Sequence, residues 1–93
     1  MTPAHEFLTA AAQHMQQRAA TYDRPEGERS MAASVDAFNF ITGHSLSESD
    51  GWLLMLCLKL VRLHQRAGFH QDSAEDAVAY AALLAEAKSK FNE

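Results

Sequence analysis

The sequence predicts an all-α domain, built as a compact four-helix bundle. Three observations carry that expectation. Apolar residues recur at three- and four-residue spacing along most of the 93-residue chain, the pattern of helices with one buried stripe. The period-two alternation of a half-buried strand appears nowhere. Capping signatures and glycine stops divide the chain into four segments joined by short connections. At this length the chain makes a single domain over residues 1–93. With 47% hydrophobic residues but only four Gly and two Pro, it has the composition of a folded helical domain rather than a disordered one.

The first helix opens at Thr2-Pro3. Thr serves as N-cap, and Pro takes the first helical position, where its missing N–H costs nothing. Leu8, Ala11, Ala12, Met15, Ala19 and Tyr22 then form one stripe. The second helix carries Met31, Val35, Phe38 and Ile41 and ends at Thr42-Gly43, where Gly can adopt the left-handed conformation that closes a helix. Its start has two readings. Asp23-Arg-Pro-Glu26 is a capping box with Pro near the start, while Gly27 can delay the helix to Glu28.

Ser47-Glu-Ser-Asp50 opens the third helix, which runs to about Ala67 and stops at Gly68. The fourth begins with Asp72 as N-cap and Glu75 as its capping partner. Ala74, Ala77, Val78, Ala81, Leu84, Ala85 and Phe91 let it pack closely.

The third helix is the anomaly. Trp52, Leu53, Leu54, Met55, Leu56, Cys57, Leu58, Leu60, Val61 and Leu63 cover every side of it. A helix that is apolar all round is buried all round. Three partners barely suffice in a chain this short, so the sequence predicts a homo-oligomer; the alternative makes this helix the centre of a monomer. Cys57, the single cysteine, reads as a reduced core thiol and excludes both an intramolecular disulfide and a CxxC zinc site.

A formal charge of −4 argues against a dedicated nucleic-acid binder, which needs a basic footprint on phosphates. Met-Thr-Pro-Ala-His-Glu has neither a basic nor an apolar leader region. The apolar run Trp52–Leu58 is too short for a bilayer. The expectation is a soluble cytoplasmic protein without membrane or nucleic-acid partners.

Charges interrupt the apolar pattern at telling places. Lys59 and Arg62 lie one turn apart on the third helix, while Asp72, Asp76 and Tyr80 share one face of the fourth. A reversal centred near Gly68–Phe69 would set Arg62 beside Asp76, Arg66 beside Asp72 and Lys59 beside Tyr80. The result is a polar seam. It either fixes the register of two helices or forms part of a ligand site. Asp72 and Asp76 are also the candidate metal ligands, since hard cations take carboxylate oxygens. His5, His14, His44, His64 and His70 lack metal-binding spacing, and no nucleophile motif or Gly-rich phosphate loop is present.

The connection "RAATYDRPEGERSM", Arg18 to Met31, concentrates six charges. Asp23 and Glu26 are explained by capping, and Pro25 and Gly27 by the turn. Arg18, Tyr22, Arg24 and Arg29 remain as candidate ligand-binding residues beside Lys59, Arg62 and Tyr80.

Together with "FNFITG" (Phe38–Gly43), "GWLLMLCLKLVRL" (Gly51–Leu63) and "DSAEDAVAYAALLAE" (Asp72–Glu86), this segment resembles a small uncharacterised domain family of tailed phages and prophages. The second half, Lys-x-x-Arg followed after a turn by Asp-x-x-x-Asp-x-x-x-Tyr, is similar to phage relatives of the MazG-like nucleotide pyrophosphohydrolases. That resemblance implies an all-α dimer or tetramer that binds nucleotides between helices and uses Mg²⁺ to cleave between α and β phosphates. It further implies that Lys59 and Arg62 contact phosphate or hold the seam, with Asp72 and Asp76 as the acidic pair.

Those enzymes carry Glu-Glu-x-x-Glu on their first acidic helix, whereas this chain offers only scattered Glu6, Glu26, Glu28 and Asp36 there. Triphosphate chemistry needs metal to neutralise developing charge. The expectation is therefore a phage-encoded nucleotide binder with no catalytic residues and no cofactor, acting as a sponge for a host nucleotide or defence second messenger. One alternative is a Mg²⁺-dependent MazG-like hydrolase. Another is an inhibitor that docks on a host protein.

Overall fold

The computed structural model describes the backbone of residues 1–21, 30–65 and 67–90, and the side chains of all of these except 18–21. Four helices follow in order: α1 (Ala4–Thr21), α2 (Met31–Thr42), α3 (Glu48–Gln65) and α4 (Gln71–Lys90). No strand occurs among the described residues, so the domain is all-α, as its periodicity predicts. None of these helices is long and apolar enough to cross a membrane.

The packing order is α1–α4–α3–α2. Among the described residues α1 packs only on α4, and α2 only on α3. The central helix is thus α4 rather than the more apolar α3. Small residues explain the choice: Ser73, Ala74, Ala77 and Ala87 are buried, so helices can approach α4 from two sides. Glu75 is buried among them.

That order overturns the alternative in which α3 is the centre of a monomer. Only Ser49 and Trp52 of α3 are buried, because α4 covers one side and α2 reaches only its N-terminal part. Leu53, Leu54, Leu58, Leu60 and Val61 are exposed. Cys57 is exposed too, and not a core thiol.

Several boundaries move by a few residues. Helix α1 begins at Ala4, with the Pro3 carbonyl accepting the Glu6 N–H at 3.1 Å, so Pro3 stands just outside the helix. Its buried stripe is turned by one position from the expected one: Ala11 is buried, Phe7, Ala10 and Met15 are half-buried, and Leu8 and Ala12 face outward. Phe7 packs edge-on against Phe69, ring centroids 5.9 Å apart. Helix α2 begins at Met31, later than either expected start, and its first backbone bond runs from the Ser34 N–H to the Ser30 carbonyl at 3.0 Å. The Asp23–Glu26 cap and Gly27 lie outside the described residues, as does Tyr22.

Gly43 closes α2 in the expected left-handed conformation, φ +76°, donating its N–H to the Asn39 carbonyl at 2.8 Å. Asn39 then organises the following turn, exchanging two 2.9 Å hydrogen bonds with the Leu46 backbone. The start of α3 is the expected capping box. Ser47 donates its N–H to Asp50 Oδ2 at 2.8 Å, and the Asp50 N–H returns to Ser47 Oγ at 3.2 Å.

Candidate functional site

The α3–α4 seam carries the charged residues singled out by spacing. Lys59 Nζ lies 3.0 Å from Asp76 Oδ2, with Lys59 16% exposed and Asp76 40% exposed. The pair therefore sits at the edge of the interface, its lysine stem covered and its carboxylate half in water. At the far end of the seam Lys90 Nζ approaches Glu48 Oε2 at 4.0 Å. Between them the Trp52 and Tyr80 rings stack at 5.9 Å with an interplanar angle of 29°. Trp52 is buried, so the stack is the apolar centre of the seam.

The register differs from the expected one. Asp76 pairs with Lys59, not Arg62, and Tyr80 stacks on Trp52. The turn lies between Gln65 at the end of α3 and Gln71 at the start of α4, and on α3 Lys59 shares the α4-facing side with Trp52, whereas Arg62 is turned off it. Gly68 turns the chain at φ +102°, a conformation that L side chains rarely adopt. Arg62 is exposed, and among the described residues no carboxylate lies within ion-pair distance of it. Arg66, the expected partner of Asp72, lies outside the described residues.

Asp72 is exposed in the first turn of α4 and is not its N-cap. His70 takes that place: its carbonyl accepts the Ala74 N–H at 3.2 Å, and its ring nitrogen Nδ1 hydrogen-bonds Ser73 Oγ. Among the described residues no three His, Cys, Asp or Glu side chains converge to hold a metal ion. Of the remaining candidates, Arg18 belongs to the last turn of α1, with its side chain outside the description; Arg24 and Arg29 lie wholly outside it.

A second polar cluster went unnoticed in the sequence. Glu75, expected as a capping partner, instead receives the Gln71 side-chain amide on Oε2 and lies 2.7 Å from His14 Nε2 through Oε1. These bonds, Gln71 first and His14 second, hold the Glu75 carboxyl below its ordinary value despite the opposing cost of desolvation. The signal was present as spacing. His14 stands three residues after Ala11 and seven after Phe7, on the side of α1 that turns out to face α4.

These features define an all-α domain with two polar seams on a central alanine-rich helix, one toward α1 and one toward α3. More particularly, the chain belongs to the family described as Domain of unknown function (DUF6378), whose model matches residues 6–88. No curated protein and no solved structure matches it.

Proposed function

We propose that this chain binds a nucleotide or a closely related phosphorylated ligand at the open edge of the α3–α4 seam, without hydrolysing it. The observation that carries the reading is the pairing of Lys59 with Asp76, with Arg62 exposed one turn further along α3. A half-covered ammonium held by a half-solvated carboxylate can trade that partner for phosphate. An exposed guanidinium adds the planar fork that matches phosphate oxygens. The connection carrying Arg18, Tyr22, Arg24 and Arg29 supplies further cations and one ring of the kind nucleotide recognition uses. The likeness of Lys59-x-x-Arg62 and Asp72-x-x-x-Asp76-x-x-x-Tyr80 to phage MazG-like proteins points to the same ligand class. In a phage setting, binding without turnover amounts to sequestration of a host or signalling nucleotide.

Calorimetry against a panel of linear and cyclic nucleotides in EDTA tests the reading. Binding in the micromolar range supports it; silence across the panel at high micromolar protein removes it. The same panel with Mg²⁺ addresses the hydrolase alternative, which Asp72 and Asp76 favour by standing one turn apart on α4. Steady pyrophosphate release that Asp76→Asn abolishes would replace sequestration with catalysis.

A further inference from the structure

Among the described residues, most of the side of α3 that faces away from α4 is left uncovered. On a helix with 3.6 residues per turn, Trp52, Leu56, Lys59 and Leu63 share the α4 side, which leaves Leu54, Cys57, Leu58 and Val61 as a continuous stripe opposite. Leu54 is 67% exposed and Val61 49%. Among the described residues the one helix on this flank is α2, whose Met31 and Val35 crowd against Gly51 at the N-terminal end. Phe40 and Ile41 of α2 are themselves among the most exposed apolar residues.

The exposed surface is large. The chain exposes 6615 Å², whereas a folded monomer of 10.3 kDa is expected to expose about 5,400 Å². The excess, roughly 1,200 Å², belongs to the chain as a whole, the exposed apolar residues of α2 and α3 among its sources. Isolated exposed leucines need no explanation, but a contiguous apolar stripe marks an interaction site.

We infer that the stripe is closed by a second copy of this chain, with the two α3 helices antiparallel across a two-fold axis between Cys57 and Leu58. Two features select this occupant and this direction. First, the stripe is self-complementary. Turned end for end about that point, Leu54 meets Val61 of the other copy and Cys57 meets Leu58, so every apolar residue finds an apolar partner, as an isologous interface requires. Second, α3 is charged in opposite senses at its ends, with Asp50 in its first turn and Arg62 and His64 in its last, while Glu48 turns toward Lys90 of α4. Antiparallel pairing lays each acidic end beside the partner's basic end and opposes the helix dipoles favourably. Parallel pairing would set like charges together. The inference is independent of the nucleotide reading and stands or falls separately from it.

Sedimentation equilibrium at about 100 µM, well above a micromolar dissociation constant, should give twice the 10.3 kDa chain mass. Leu54→Glu should return the protein to a single chain while its far-ultraviolet circular dichroism keeps its helical amplitude, because the position is solvent-facing. Leu54→Glu with Val61→Lys in the same chain should restore the dimer, since antiparallel register sets residue 54 against residue 61 twice. As a check that needs no substitution, a short bismaleimide should link two chains of the wild-type protein through Cys57. A chain that stays single at this concentration overturns the inference and leaves the stripe to a different protein. A dimer indifferent to Leu54→Glu, or one that the double substitution fails to restore, overturns the interface and its register.

Discussion

His14 on α1 and Glu75 on α4 approach to 2.7 Å, a polar link between the outermost helix and the central one. Glu75 is buried while His14 is more than half exposed, so the carboxylate bears the cost of the arrangement. The hydrogen bonds it accepts from Gln71 and His14 outweigh that cost and lower the carboxyl's titration below the ordinary 4.5. A group depressed in the folded state contributes its full stabilisation above its unfolded value and loses it as pH falls through the folded one. Glu75→Gln should therefore cost about 1–3 kcal/mol near neutrality, the range for a buried charged hydrogen bond. The gap between variant and wild type should narrow as pH drops below about 4.5. Urea unfolding at pH 7 and pH 3 measures both quantities; a gap that stays constant would assign the loss to packing instead.

Gly51 governs how α2 sits on α3. A Cβ at this position would meet the Met31 sulfur and would stand 2.8 Å from Val35 Cγ2. Methionine can swing away, but valine is stiff about its first side-chain torsion. Alanine gains about 0.5–1 kcal/mol of helix propensity over glycine, and overpacking costs about 1–3 kcal/mol. The clash prevails, so Gly51→Ala should lower stability by about 1 kcal/mol. Gly51→Leu should detach α2 while leaving the Trp52–Tyr80 stack intact. Proteolysis shows the detachment if the first cuts fall within α2, and the fluorescence of Trp52, the sole tryptophan, reports the stack.

The start of α3 depends on a reciprocal pair. Ser47 and Asp50 exchange backbone and side-chain hydrogen bonds, and the Asp50 carboxyl titrates below its ordinary value, chiefly through the Ser47 N–H and then the Ser47 hydroxyl. Ser47→Ala should cost about 1 kcal/mol, the usual worth of an N-cap side chain. Because the Asp50 shift is also downward, its contribution too is present above the unfolded value and fades in acid. Amide hydrogen exchange should show the loss confined to the first turn of α3. Protection lost along the whole helix would contradict a local cap.

Elements built on local patterns were legible in the sequence. The Ser47–Asp50 box and the Gly43 stop both fall where spacing alone placed them. The seam was legible as residues but not as pairs. Assigning Asp76 to Arg62 took one pivot for the whole seam, whereas the Lys59–Asp76, Trp52–Tyr80 and Glu48–Lys90 contacts share none and depend on which sides the two helices turn to each other. The centre of the fold was misread for a different reason. Apolar residues on every side of α3 suggest a central helix, yet burial on two sides requires small side chains, and those belong to α4. The His14–Glu75 link was hidden because residues 61 positions apart are joined by tertiary packing alone.

The Lys59–Asp76 pair permits a separation of structural and ligand roles. If the lysine serves only to fix register, an apolar side chain of similar length can replace it, since Asp76 is 40% exposed and stays solvated without its partner. Lys59→Met should accordingly hold or raise the melting temperature. The proposed nucleotide reading adds that the same variant loses binding at least tenfold, equivalent to about 1.4 kcal/mol. Asp76→Asn is the converse case. It removes the partner but keeps the ammonium, so stability should fall by about 1 kcal/mol, a modest figure because the carboxylate is 40% exposed. Phosphate affinity in EDTA should hold or rise, because Lys59 is released toward the ligand. Thermal unfolding and calorimetry on the two variants give four readings. A Lys59→Met protein that stays stable and binds nucleotide as well as wild type would confine the pair to register and take the phosphate site off α3.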